Sequence, residues 1–138
     1  MIESQYTKKV NSGIPKHIFC WKISDQFFGG VPDSYYNDKT NYNGCLWVEY
    51  KFIKELPKRP ETVVVPDLSK LQDKCLDDLA SCGDQVIVIV GVERNIHQRF
   101  ASVFVLTREE FNTGIPAKVA QERLLDYAGI RKIIMGYL

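Results

Sequence analysis

Residues Gln85 to Val92 read QVIVIVGV, and six of these eight positions are β-branched. A β-branched run with no polar alternation is the pattern of a strand buried on both faces. A sheet built around such a strand needs cover on each side, so the stretch predicts an α/β domain with helices above and below.

The flanking sequence supplies those elements. Upstream, Leu68, Leu71, Cys75, Leu79 and Cys82 recur at helical spacing, with Ser69 and Gln72 placed as a capping box and Gly83 as a stop. Further upstream, Cys45 to Ile53 (CLWVEYKFI) is a strand with Val48, Tyr50 and Phe52 on one face and Trp47, Glu49 and Lys51 on the other. One face is expected to pack and the other to be open to chemistry. Leu56 to Pro66 carries three prolines around Val63, Val64 and Val65, which suits a connector with one short edge strand.

Towards the N-terminus, Ile2 to Asn11 predicts a short polar helix closed at Ser12, Gly13 and Pro15, and His17 to Ser24 a strand. Phe28 to Asp33 is a glycine-proline loop leading into Ser34, Tyr35 and Tyr36, and Asn37 to Gly44 reads as a hairpin connection. Downstream, Ala101 to Leu106 gives the buried strand a neighbour, and Thr107 with Glu110 forms a second capping box before a short helix. Val119, Ala120, Leu124 and Tyr127 predict one further helix over Pro116 to Tyr127. The sum is an α/β fold with a mixed central β-sheet flanked by helices.

The 138 residues, 45% of them hydrophobic, suit a single domain spanning 1–138. With 18 Lys and Arg against 17 Asp and Glu, net charge announces no nucleic-acid partner, so any such partner has to be held by a local patch. No apolar stretch is long enough to span a bilayer and Met1 to Val10 lacks a signal-peptide core, so no membrane association and a cytoplasmic location are expected. Cys20, Cys45, Cys75 and Cys82 form no C-x-x-C pair and read as reduced thiols.

Glu49 and Lys51, two apart on a strand, project to the same side, and the intervening hairpin is able to bring Asp33 beside them. Two carboxylates with the backbone carbonyl of Tyr50 offer the oxygen ligands that Mg²⁺ prefers. An ammonium such as that of Lys51 orients an attacking water or offsets negative charge in the transition state. Glu-x-Lys alone is common in chains of this length, and its ordinary meaning is a solvated surface pair. Order and context raise its weight.

Gly30, Val31, Pro32 and Asp33, followed by Glu49, Tyr50 and Lys51 in an apolar strand and by Leu68, Ser69 and Gln72 opening a helix before Val86 to Val92, resemble the PD-(D/E)XK nuclease superfamily. More narrowly they resemble its VRR-type branch, found in phage and bacterial proteins and related to Holliday-junction resolvases. The resemblance runs from about Glu3 to Val92. It implies a restriction-endonuclease-like core in which Asp33 and Glu49 bind Mg²⁺ or Mn²⁺ and Lys51 assists hydrolysis. It also implies a first-helix glutamate, which only Glu3 is placed to match, and a helix glutamine near the site, matched by Gln72. Glu3 as a frayed-end acid and Gln72 as a plain cap are the competing expectations. The long connector after Lys51 departs from the compact pattern, and nothing after Val92 has a counterpart.

Lys51, Lys54, Lys58 and Arg59 form one basic stretch and Arg94, His97 and Arg99 another. Lys54, Arg94 and Arg99 are the candidate phosphate contacts. Asn95 and Gln98 join the second group as candidate base readers, and Tyr35, Tyr36, Tyr42 and Trp47 are candidates for stacking on bases, although core packing is the commoner use of strand aromatics. His17 and His97 have no neighbour at metal-ligand spacing. The leading expectation is a metal-dependent endonuclease acting on branched DNA, working as a homodimer because one small chain carries one active site. A restriction-type or general DNA-processing nuclease, or a non-catalytic nucleic-acid-binding module of the same fold, are the alternatives.

Overall fold

The computed structural model describes residues 3–23, 29–41, 44–94 and 103–138, without the side chains of residues 3, 4 and 94. The β-branched run forms strand β5 (Gln85–Arg94), with Val88 and Ile89 fully buried. It pairs in parallel with β3 (Cys45–Glu55) and antiparallel with β6 (Val103–Leu106). Strands β1 (Ile18–Lys22) and β2 (Ser34–Asp38) extend the sheet as an antiparallel meander, giving the order β1-β2-β3-β5-β6. Parallel neighbours need a crossover, and helix α2 (Lys70–Ser81) supplies it. The expected architecture, a mixed central sheet flanked by helices, is the observed one.

Strand alternation divides the core in two. On the first face Tyr36, Val48, Tyr50, Ile87 and Ile89 meet Tyr6 and Val10 of helix α1 (Glu3–Ser12) and Ile130 and Ile134 of helix α4 (Tyr127–Gly136). On the second, Val86, Val88 and Val90 meet Leu76 of α2 and Ala117 and Ala120 of helix α3 (Ala117–Arg123). A small antiparallel pair, β4 (Val63–Val64) and β7 (Ile115–Pro116), borders that second layer; β4 is the short strand expected in the proline-rich connector. The first face holds a polar core contact as well. Tyr36 and Tyr50 hydroxyls lie 2.6 Å apart, and Tyr36 donates to Asn11 of α1. Burial pushes both phenols far up, so both remain protonated donors.

Four expectations need correction. The stripe over Pro116 to Tyr127 is two helices, because the backbone turns extended at Leu124 (ψ 131°). Leu125 exchanges backbone hydrogen bonds with Val103, and Asp126 then caps α4 by accepting from Gly129 N at 2.7 Å. In α2 the inward face runs through Leu68, Gln72, Leu76 and Leu79, while Leu71 is 53% exposed. Helix α1 is polar on one side only, since Tyr6 and Val10 are wholly buried. The Thr107–Glu110 box opens a single 3₁₀ turn, Arg108–Glu110, rather than a helix. All four cysteines are free thiols, as expected. Among the described residues no helix is long and apolar enough to cross a membrane.

Glu110 ties that turn to α3, its two carboxylate oxygens each accepting from Arg123 at 2.7 Å. The guanidinium hydrogen bonds, with help from Thr107, draw the Glu110 carboxyl from 4.5 down to about 2. A depressed carboxyl pKa stabilises the fold above the unfolded value, and that stability is lost as pH falls from about 4.5 towards 2. Arg123 is 37% exposed, so solvent screening limits the contribution to about 1 kcal/mol. Glu110→Gln is expected to lower stability by that amount at pH 7 and to match the parent below pH 2, measured by urea titration at stepped pH.

Candidate active site

The site is assembled by register. Ser34 pairs with Val48, so the preceding residue, Asp33, arrives opposite Glu49 on the second face of the sheet. Two backbone contacts fix Asp33 there. Its carbonyl accepts from Ile23 N at 2.8 Å, and its Oδ2 accepts from Tyr50 N at 2.8 Å. Glu49 is 1% exposed, and its carboxyl is near enough to that of Asp33 to influence its pKa. Lys51, two residues on, points the same way, with Nζ 3.6 Å from Glu49 Oε1.

Gln72 joins the strand residues to α2. Its Nε2 donates to Glu49 Oε1 at 2.9 Å, and its Oε1 accepts from Lys51 Nζ at 3.1 Å. The same Oε1 accepts from Ser69 N at 3.0 Å while Gln72 N donates to Ser69 Oγ at 3.1 Å. Gln72 thus forms the cap and at the same time contacts both Glu49 and Lys51. The capping box holds the amide in one orientation, and that orientation presents a donor to the carboxylate and an acceptor to the ammonium.

Burial is the largest influence on Asp33 and raises its carboxyl pKa; the Tyr50 N–H, the charge of Lys51, the contact with Glu49 and the charge of Lys22 pull the other way. The Cys75 thiol, on the α2 face towards the site, is raised by its own burial, then by Asp78 and by Glu49. Two neighbouring carboxyls, Glu49 buried and Asp33 half-buried, with one ammonium shared between a carboxylate and an amide, are short of positive charge. A hard divalent cation bound by oxygen supplies what is missing, and in this respect the donor set fits Mg²⁺ or Mn²⁺. Among the described residues no group of three or more His, Cys, Asp and Glu able to hold a metal ion gathers; the nearby carboxylates are Asp33 and Glu49.

Other candidates fall elsewhere. The Tyr50 ring is buried on the first face, so this residue reaches the site only through its backbone. Alternation puts Lys54 on the side of Tyr50 and Phe52, exposed on the opposite face from the carboxylates. Arg94 ends β5 opposite Glu55, but its side chain lies outside the described residues, as does that of Glu3. Asn95, His97, Gln98, Arg99 and Tyr42 are outside them entirely. Tyr36 is core, not surface.

Two features were not read from the sequence: the charge of Lys22, which lowers the Asp33 pKa, and two exposed aromatics on β1. Phe19 and Trp21 are 46% and 51% exposed. Ile18–Lys22 reads IFCWK, apolar at four successive positions, so composition did not reveal which side faces out; the alternation appears only in the burial.

No family model matches the chain, and no curated protein matches it. Among solved structures it is similar to Hjc, a Holliday junction resolvase from the archaeal hyperthermophile Archaeoglobus fulgidus. The two are 15% identical over 85% of this chain and 97% of that one, with a TM-score of 0.41.

Proposed function

We propose that the chain is a metal-dependent endonuclease that hydrolyses DNA phosphodiester bonds, with a preference for branched structures such as junctions and flaps. One observation carries the chemistry: Asp33, Glu49 and Lys51 meet on one sheet face around the doubly engaged Gln72. The preference for branched DNA rests on the resemblance of the ordered motif to resolvase-related nucleases.

Asp33 and Glu49 are the residues that would hold Mg²⁺ or Mn²⁺, with the Tyr50 carbonyl as a third oxygen. A bound divalent cation supplies positive charge against a phosphate oxygen and acidity for the attacking water. The chain does the rest. Asp33 is held by the Tyr50 N–H, so its free oxygen is fixed in direction. Gln72 holds Glu49 and Lys51 at a set separation. Lys51 keeps a partly exposed ammonium at the site, placed to hold a water for in-line attack or to offset charge on the phosphate as it forms. Cutting both strands of a junction requires two copies, so the active species is proposed to be a homodimer.

The test is cleavage of end-labelled four-way junction, flap, duplex and single-stranded DNA in Mg²⁺, Mn²⁺ or EDTA. Metal-dependent cutting strongest on branched substrates is expected. Absence of cutting on every substrate, with no Mn²⁺ binding by calorimetry, would end the proposal.

A further inference from the structure

The face that carries the carboxylates continues beyond them across β2 and β1, where no described helix covers it. Register and alternation bring Trp47, Tyr35, Trp21 and Phe19 onto that continuation. Tyr35 stands edge-on to Trp47 with ring centroids 4.8 Å apart, and Phe19 edge-on to Tyr35 at 6.1 Å. Trp47 is fixed at the inner end by donating Nε1 to Asp84 at 3.0 Å. Tyr35 is fixed by a hydrogen bond from Asn37 at 3.1 Å. The row thus changes from half-buried and anchored beside Glu49 to half-exposed at Phe19 and Trp21.

An ammonium stands near each end. At the inner end is Lys51, with Nζ 3.6 Å from Glu49 Oε1. At the outer end is Lys39, which lines a groove with Phe19, Tyr35, Asn37 and Asp38 and donates Nζ to the backbone carbonyl of Lys16 at 3.1 Å. Asp38 in that groove is occupied by the Thr40 N–H and hydroxyl, which lower its carboxyl pKa. A row of exposed rings with an ammonium near each end, continuous with the candidate active site, is a combination that suits single-stranded nucleic acid: bases stack on the rings while ammonium groups meet the backbone.

We infer that Phe19 and Trp21 form a stacking platform for unpaired bases of DNA next to the cleavage site, with Tyr35 and Trp47 as its anchored base. This rests on the nuclease reading of Asp33, Glu49 and Lys51 and deepens it: the selected substrate feature is a single-stranded segment adjoining the scissile bond, with duplex DNA bound less well.

Binding separates the two ideas when it is measured in EDTA, where nothing is cut. Fluorescence anisotropy of labelled oligo(dT), and of a duplex of equal length, is compared for the parent, Phe19→Ala/Trp21→Ala and Trp21→Phe. The double alanine variant is expected to lose at least about fivefold in oligo(dT) affinity, the lower bound for one stacked base, with duplex affinity unchanged. Trp21→Phe should retain binding and show less tryptophan quenching on adding oligo(dT) than the parent, with Trp47 left as the remaining tryptophan. Both variants alter exposed side chains, and unchanged thermal melts confirm the fold. Unaltered oligo(dT) affinity in the double variant, or equal loss on duplex, overturns the platform. So does concentration-dependent self-association that the double variant abolishes without any change in DNA binding, since the face would then be a contact between copies. A parent that binds oligo(dT) through Trp21 but cuts nothing keeps the platform and removes the nuclease.

Discussion

Glu49→Gln is expected to reduce metal-dependent cleavage by at least about a thousandfold while leaving the metal-free protein as stable as the parent, or more so. The opposed directions follow from where Glu49 sits. Its carboxyl is 1% exposed and abuts that of Asp33, whose own pKa is raised by burial. A buried carboxylate beside a half-buried one is repelled by it and costly to desolvate, and a neutral amide of the same shape relieves that cost. Gln at this position still presents an oxygen to Gln72 Nε2, so the link to α2 survives. What is lost is the second anionic ligand for a divalent cation and the charge that matches Lys51. Thermal melts in EDTA and in Mn²⁺ read both effects. The parent should gain stability with Mn²⁺ because only the folded state assembles the site; the variant should gain little. Cleavage within tenfold of the parent would sink the assignment of Glu49, and a large loss of stability in EDTA would make its role structural.

Much of this was legible in the chain because local rules and global fold agree at the relevant positions. The β-branched run at Gln85–Arg94 dictated burial on both faces, and the capping box at Ser69 and Gln72 fixed where α2 begins. Alternation in Cys45–Glu55 correctly put Glu49 and Lys51 on one side and Tyr50 on the other. What alternation did not convey was that both faces of this strand are covered, so Glu49 is a buried acid and not a surface one. That depends on α2 crossing over, and on an inward stripe through Gln72 and Leu76 that the apolar spacing of Leu71, Cys75 and Cys82 disguised. The break at Leu124 was hidden for a similar reason. A helical stripe continued through it by composition, while the decisive interaction, Leu125 with Val103, is a long-range backbone pairing that no local pattern encodes. Lys54 was grouped with Lys51 by proximity in sequence, and strand geometry separates them to opposite faces.

Two adjacent glycines provide the second large effect, because Gly29→Ala and Gly30→Ala are expected to behave in opposite ways. A Cβ added at Gly29 meets nothing within 4 Å, whereas one at Gly30 falls 2.6 Å from the Leu71 carbonyl oxygen and 2.9 Å from its carbon. Those are backbone atoms in the first turn of α2, so no side-chain rotation relieves the overlap; the loop, the helix turn or both must move. Three residues on, the loop ends in Asp33, and the residue after Leu71 is Gln72. The same displacement therefore acts on both sides of the site, on the carboxylate held by Tyr50 N and on the amide that spaces Glu49 from Lys51. Overpacking of this kind costs about 1–3 kcal/mol. A misplacement of about 1 Å in reacting groups costs on the order of a hundredfold in rate. Gly30→Ala should thus lower the denaturant midpoint and cut kcat by about a hundredfold on a junction substrate, while Gly29→Ala stays within about 0.5 kcal/mol and near parental activity. Equal behaviour of the two variants would mean that the glycine-proline loop does not set the position of Asp33. A Gly30→Ala protein that loses stability but keeps its kcat would mean that the site tolerates movement between the loop and α2. In that case the register of β2 against β3, and not the contact with Leu71, is what holds Asp33 beside Glu49.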